Sequence, residues 1–524
     1  MLSNSARRFP ARPAVTWGDQ RLTYADLDRR SDALAHGLAS LGARKDDRVV
    51  VLMRNRPELI EAMYACFKAA YCMVPLNSRL TAAEVTFHLG DSQPAAVLTD
   101  PEGVSVLAAA DRCGAAVVVA GTHGGDRLPV WAHDHEDVIA AGAGRPSAVA
   151  EVDRDDLAWL FYTSGTTGRP KGAMLSHGNL GFVTASWLAD LTPMTEEDVT
   201  LHAAPLSHGA GFHALAATAR GAHQVIPASG RFDPSGILEL IAAEGVTNTW
   251  LVPTQIVMLL DAAGDRPPDL PSLRHVAYGG APFAPADLRR ALEVFGPRFV
   301  QLFGQGETPM TATVLSAADH AAALAGDRPQ RLSSAGVPRP GTDVRVMNDD
   351  VELPVGQVGE LCVRGSAVML GYWQRPEETA GTLRHGWLHT GDLGRMDEHG
   401  YLYLLDRAKD LIISGGSNVY AVEVEAVLAG HEAVREVAVV GVTDRTWGET
   451  VVAVVVSGEP GPDTEVALAA HCAGVLAGYK CPRRYVFREA LPRNAYGKVL
   501  KRELREDLAG DPPGAGARRE GGAP

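Results

Sequence analysis

Tyr162-Thr163-Ser164-Gly165-Thr166-Thr167-Gly168-Arg169-Pro170-Lys171-Gly172 is the stretch on which the reading of this chain turns. Its glycines let the main chain approach a ligand without side-chain bulk, and consecutive amides in such a loop form an anion-binding nest. Ser164, Thr166 and Thr167 add hydroxyl donors, and Lys171 adds a compact positive charge. Phosphate oxygens call for this set of groups. The string is not the Walker pattern, because no Gly-Lys-Ser/Thr follows the first glycine at the required spacing, which argues against kinase-like and GTPase-like chemistry. Any Gly/Ser/Thr-rich stretch can also be an ordinary surface loop, so its surroundings decide. Trp159-Leu160-Phe161-Tyr162 is short, apolar and aromatic, as expected of a strand running into the loop.

Working outward, the first hundred residues alternate helical and strand patterns. Thr23 caps a helix that carries Leu27, Leu34, Leu38 and Leu41 on one stripe, and Gly42 ends it. Arg48–Met53 reads as a β-branched strand, and Pro57 opens the next helix. This alternation predicts α/β layering with mainly parallel strands, continued through residues 151–330. From Gly336 the spacing shifts to short strands punctuated by Gly and Pro, including VRVMN, GELCVRG and YLYLLD, so 336–406 is expected to be a β-rich subdomain. Beyond it, segments such as VREVAVVGV and ETVVAVVVS belong to a second, smaller α+β domain. The expected boundaries are 1–406 for the large domain, 407–410 for a hinge, 411–510 for the small domain and 511–524 for a disordered Gly/Pro/Ala tail.

A chain of 524 residues is long enough for at least two domains, and 46% apolar with 21% charged residues is ordinary for a globular protein. A formal charge of −14 disfavours a surface that grips nucleic acid or an anionic membrane, so an anionic ligand has to be held locally. Lysine accounts for only seven of the 49 basic residues. Where it persists in a turn-rich motif, at Lys171, Lys409 and Lys498, a point-like ammonium is wanted in place of the planar arginine fork. The six cysteines show no Cys-x-x-Cys spacing and read as reduced core thiols. With neither an apolar leader nor a spanning stretch in view, a cytoplasmic protein without stable membrane insertion is expected.

Further motifs follow in order: Pro205-Leu206-Ser207-His208-Gly209, Tyr278-Gly279-Gly280-Ala281-Pro282, Gln301-Leu302-Phe303-Gly304-Gln305-Gly306-Glu307, Gly359–Gly365 and Trp387-Leu388-His389-Thr390-Gly391-Asp392. Then come Asp406-Arg407-Ala408-Lys409-Asp410, Ser414-Gly415-Gly416-Ser417-Asn418 and Pro492–Lys498. Together with the glycine-rich loop they cover nearly the whole chain. The set resembles the adenylate-forming superfamily of acyl-CoA ligases, peptide-synthetase adenylation domains and luciferases, and is most like the acyl-CoA ligases.

That resemblance implies a large α/β N-terminal domain with a β-barrel-like subdomain and a mobile α+β C-terminal lid. It implies attack of a carboxylate on the α-phosphorus of ATP, then of a thiol on the acyl-adenylate, with ATP, Mg²⁺ and CoA consumed or required. Lys498 would draw carboxylate and α-phosphate together, and Glu307 would hold Mg²⁺. Thr163, Ser164, Gly165, Thr166, Thr167, Gly168 and Lys171 would cradle phosphate, while Gly280, Ala281, Pro282, Phe303 and Gly304 would frame adenine. Asp392 and Arg407 would bind ribose, and His208 would gate the acyl pocket without acting as a base. Lys409 would be the hinge, with Gly415 and Gly416 flanking the pantetheine path.

Core packing for Phe303 and ordinary turns for Gly415-Gly416 are the competing readings. Gly306 stands where the family usually carries threonine, and Tyr496 where it carries a small hydroxyl residue. The first change removes a donor worth about 3–4 kcal/mol in comparable oxyanion sites. The expected activity is ATP-dependent ligation of a bulky or long apolar carboxylic acid to CoA. The alternatives are a ligase with impaired adenylation that mainly thioesterifies preformed acyl-adenylate, a stand-alone adenylation enzyme loading a carrier protein, and a catalytically silent nucleotide-binding regulator. Nothing in the sequence separates monomer from dimer.

Overall fold

The computed structural model describes residues 1–122, 127–163, 169–264, 269–281, 283–407, 410–414, 417–444, 447–494 and 499–509. The chain divides into two compact units, one of Met1–Thr390 with Arg395–Tyr403, the other of Gly391–Gly394 with the chain from Leu404 onward.

Three sheets lie in the chain up to Arg407. An eight-stranded sheet runs Gly371–Tyr372, Lys171–Ser176, Leu157–Thr163, Cys72–Leu76, Arg48–Leu52, Ala96–Thr99, Ala116–Val119 and Ala132–Asp134. From Leu157–Thr163 to Ala132–Asp134 its neighbours are parallel, and Lys171–Ser176 turns back antiparallel. A nine-stranded sheet includes the parallel run Val199–Leu201, Asn248–Leu251, His275–Tyr278 and Phe299–Gln305, with Thr308–Leu315 antiparallel beyond it. Parallel pairs require crossover helices on the faces, which is why the strands are buried on both sides. Arg48–Leu52 is buried from Val49 onward and Cys72–Leu76 throughout.

Local chemistry sets the helix boundaries. The Thr23 side chain accepts from the Asp26 amide and Asp26 returns a bond to the Thr23 amide, a capping box that starts Tyr24–Ser40. Leu27, Leu34 and Leu38 on that helix are fully buried. Pro57 occupies the first turn of Pro57–Lys68, where its missing N–H costs nothing.

The third, six-stranded sheet is formed by Thr342–Asn348, Val351–Glu352, Gly359–Gly365, Leu383–Arg384, Trp387–Met396 and Leu402–Arg407. The second unit carries a five-stranded sheet dominated by the long hairpin Val434–Asp444 and Gly448–Ser457, with Arg484–Phe487 parallel to it. Its two faces are covered separately: Leu428, Leu468 and Cys472 pack one side, Leu491, Leu504 and Leu508 the other. All six cysteines are free thiols, but Cys113 is exposed and Cys481 half-buried, so the expectation of core thiols holds for Cys66, Cys72, Cys362 and Cys472 only. Among the described residues no helix is long and apolar enough to cross a membrane.

Candidate active site

The Leu157–Thr163 and Lys171–Ser176 strands pair antiparallel with Thr163 directly opposite Lys171. The glycine-rich segment is therefore the connection of a hairpin, and its two ends are fixed by a pleated ladder. Ser164, Gly165, Thr166, Thr167 and Gly168 lie outside the described residues, but both flanking side chains are placed. Lys171 is buried, and its ammonium lies 5.2 Å over the Tyr372 ring. Tyr372 belongs to the short strand Gly371–Tyr372, paired to the outer side of Lys171–Ser176 with Tyr372 opposite Ala173.

Glu307 arrives from the other large sheet. Gln305 pairs with Thr308 across the tight turn between two antiparallel strands, and Gly306-Glu307 forms its tip. The carboxylate is buried. Thr163 Oγ1 donates to its Oε1 at 2.9 Å and the Tyr372 hydroxyl donates to the same oxygen at 2.8 Å. Backbone support comes from Met369, whose amide donates to the Glu307 carbonyl at 2.8 Å. A hard divalent cation takes oxygen ligands and keeps water and phosphate oxygens beside one or two carboxylates. A buried carboxylate with one oxygen oriented by two hydroxyls fits that requirement, and Glu307 is the residue that would hold the ion.

The residues expected to frame adenine are arranged by register. Tyr278 pairs with Gln301, so Gly280 and Ala281 follow the end of one strand while Leu302 and Phe303 continue on the next. Gly280 has φ of +80°, a conformation that glycine adopts without strain. Phe303 is half-buried on its strand, and Gln305 Nε2 donates to the Thr390 carbonyl at 2.9 Å. Asp392 is itself buried. Arg407 ends the Leu402–Arg407 strand, its side chain outside the described residues, as are Pro282, Lys409, Gly415, Gly416 and Lys498.

His208 stands at the N-terminus of the Gly209–Arg220 helix, its ring centroid 4.8 Å from that of Phe161. Burial pushes its pKa down to about 4, so the ring is neutral near pH 7 and poorly suited to take a proton.

Sequence reasoning did not single out Tyr372, Phe161 or Trp447. Tyr372 lies some 200 residues from the glycine-rich loop, and its only local signal is a Gly-Tyr pair. Phe161 registers as strand core. In the second unit, Arg483 lies 4.1 Å over the ring of Trp447, whose indole is 40% exposed, whereas Arg488 is engaged by Asp507 at 3.3 Å. Elsewhere, Glu360, Cys362 and His389 converge with ligand atoms within 4.8 Å of one another. Arg384 lies 2.7 Å from His389 Nδ1 and burial pushes the Cys362 thiol up to about 12, so this group is a hydrogen-bonded knot that carries its own cation.

The fold and this site define a two-unit adenylate-forming enzyme. The chain belongs to the AMP-binding enzyme family: residues 2–373 match that family, and residues 423–498 match the AMP-binding enzyme C-terminal domain. It is an AMP-forming acid–thiol ligase of the acyl-CoA synthetase type. Feruloyl-CoA synthase of Amycolatopsis sp is 40% identical over 503 residues, spanning 95% of this chain and 96% of that protein. The fatty acid–[acyl-carrier-protein] ligase ScoC of Streptomyces coeruleorubidus is 36% identical over 97% of this chain and 95% of its own. Among solved structures, o-succinylbenzoate CoA synthetase from Bacillus subtilis, bound to its acyl-adenylate, superposes with a TM-score of 0.83 at 33% identity, covering 96% of this chain and 97% of that one.

Proposed function

We propose that this protein activates a bulky or long apolar carboxylic acid with ATP as the acyl-adenylate and then transfers the acyl group to CoA. The observation that carries the reading is the convergence of Thr163, Lys171, Tyr372 and Glu307 at the base of the glycine-rich loop. In the first half-reaction an anionic carboxylate must approach an anionic phosphate, and fixed cations and donors lower that barrier because they need no reorganisation as charge moves. Lys171 supplies a charge at the foot of the loop, held against the Tyr372 face. Lys498 is assigned the ammonium that draws the two anions together. Mg²⁺, when bound, supplies further neutralisation of phosphate charge, with Glu307 as its carboxylate. His208, kept neutral, adds no competing charge beside the incoming acid.

For the second half-reaction, Arg483 and Trp447 support CoA as acceptor. A half-exposed indole offers a stacking face and the guanidinium beside it offers charge to a phosphate, the two features of an adenosine phosphate. The similarity to ScoC favours the competing acceptor, a carrier protein. Purified protein given ATP, Mg²⁺, CoA and a panel of aryl and aliphatic acids is expected to release pyrophosphate and form a thioester detectable by mass spectrometry. Absence of both across the panel refutes the reading. A competition between CoA and an acyl carrier protein for the same adenylate separates the acceptors.

A further inference from the structure

Gly306 occupies the tip of the hairpin that presents Glu307, and it is not among the glycines with positive φ. Its backbone would suit any residue; what excludes a side chain is space. A Cβ at this position would overlap Cγ2 of Thr163 and lie 2.5 Å from Cδ1 of Phe161. Neither neighbour can retreat freely. The Phe161 ring is held between Phe212, at 5.7 Å and 28°, and His208, at 4.8 Å and 35°, with only 6% of its surface exposed. Thr163 points its methyl at Gly306 because its hydroxyl is committed to Glu307 Oε1. Rotating the methyl away about χ1 would carry the hydroxyl off the carboxylate.

We propose that Gly306 is a positioning residue for Glu307: by carrying no side chain it lets the Phe161 ring and the Thr163 methyl occupy the hairpin tip, so that the Thr163 hydroxyl is locked onto the carboxylate. Gly306 is then not a missing donor but the space in which another donor works. A hydroxyl residue at 306, which looks like a repair, would displace Thr163 and damage the site. The inference rests on the reading of Glu307 as the metal carboxylate.

The test uses full-length Gly306→Ala and Gly306→Thr, each alone and combined with Thr163→Ser, which removes the methyl and keeps the hydroxyl, and with Phe161→Val. Three measurements are made on each: pyrophosphate release with its Mg²⁺ dependence, Mg²⁺·ATP affinity by calorimetry, and thermal unfolding. Gly306→Ala is expected to lower pyrophosphate release about tenfold or more, the scale of one lost hydrogen bond to a charged group. It is also expected to raise the half-saturating Mg²⁺, weaken Mg²⁺·ATP binding and reduce Tm. Thr163→Ser in the Gly306→Ala background should recover part of each, and Phe161→Val added to both should recover more. Wild-type behaviour of Gly306→Ala, improved activity of Gly306→Thr, or no recovery in the double variant each overturns the proposal. If the wild type itself releases no pyrophosphate with any acid, the functional reading fails, while the pattern in Tm and nucleotide affinity still decides the role of Gly306.

Discussion

Replacing Tyr372 by phenylalanine removes one hydroxyl and leaves the ring. The hydroxyl donates to Glu307 Oε1 at 2.8 Å, and both residues are buried, so solvent cannot replace the bond cheaply. A hydrogen bond to a charged group contributes about 1.5–3 kcal/mol. Lost from a carboxylate that also keeps the Thr163 bond, the low end of that range applies, which is about a tenfold effect. Because phenylalanine preserves the aromatic face beneath the Lys171 ammonium at 5.2 Å, that contact survives in Tyr372→Phe and is lost in Tyr372→Leu. The leucine variant should therefore lose a further ~1 kcal/mol, about fivefold. The assay is initial-rate pyrophosphate release at several Mg²⁺ concentrations, set beside thiolysis of synthetic acyl-adenylate by CoA. Tyr372→Phe is expected to slow the first and raise its Mg²⁺ requirement while leaving the second near wild type. Equal slowing of both steps, or an unchanged Mg²⁺ dependence, refutes the assignment of Glu307 and Tyr372 to the nucleotide-activating half of the reaction.

Arg483→Ala and Trp447→Ala should raise KM for CoA severalfold with pyrophosphate release in the absence of CoA unchanged, measured by the same two half-reactions; a matching effect on both halves discards the patch as an acceptor site. Burial holds His88, His202, His208 and His320 at about 4, below the ordinary histidine value, so the unfolded chain binds protons that the native chain refuses between about pH 6.5 and 4. Stability contributed by these neutral rings is present above that window and is lost as pH falls through it, so urea midpoints at pH 7, 6 and 5 should decline in order, and a flat series contradicts it. Thr23→Ala deletes one half of the capping box on Tyr24–Ser40 and should cost the first unit about 1 kcal/mol by denaturant titration; Thr23→Ser should be close to neutral.

Several of the residues that matter were legible because their signals are local. The Thr23 cap, Pro57 at a helix start and the apolar run before Thr163 depend on neighbours a few residues away, and the observed elements begin where those signals stand. The order of the motifs along the chain was enough to place it in its family. The sheet order was not readable in this way: Leu157–Thr163 pairs with Cys72–Leu76, some eighty residues earlier, because hydrophobic strands carry little information about which partner they will take.

The amino-acid sequence by itself determined the class of enzyme and offered the glycine-rich loop, Lys171 and Glu307 as candidates for its site, because each of these is a matter of which chemical groups lie within a short span. The tertiary structure alone decided how they work together. Tyr372 reaches Glu307 only because a two-residue strand adds to the edge of one sheet beside the hairpin tip of another, and Gly306 gains its meaning only from the ring and methyl that fill the space beside it. Hydrogen bonds and excluded volume act over a few ångströms, and which distant residues come within that range is set by sheet register and packing, not by proximity along the chain.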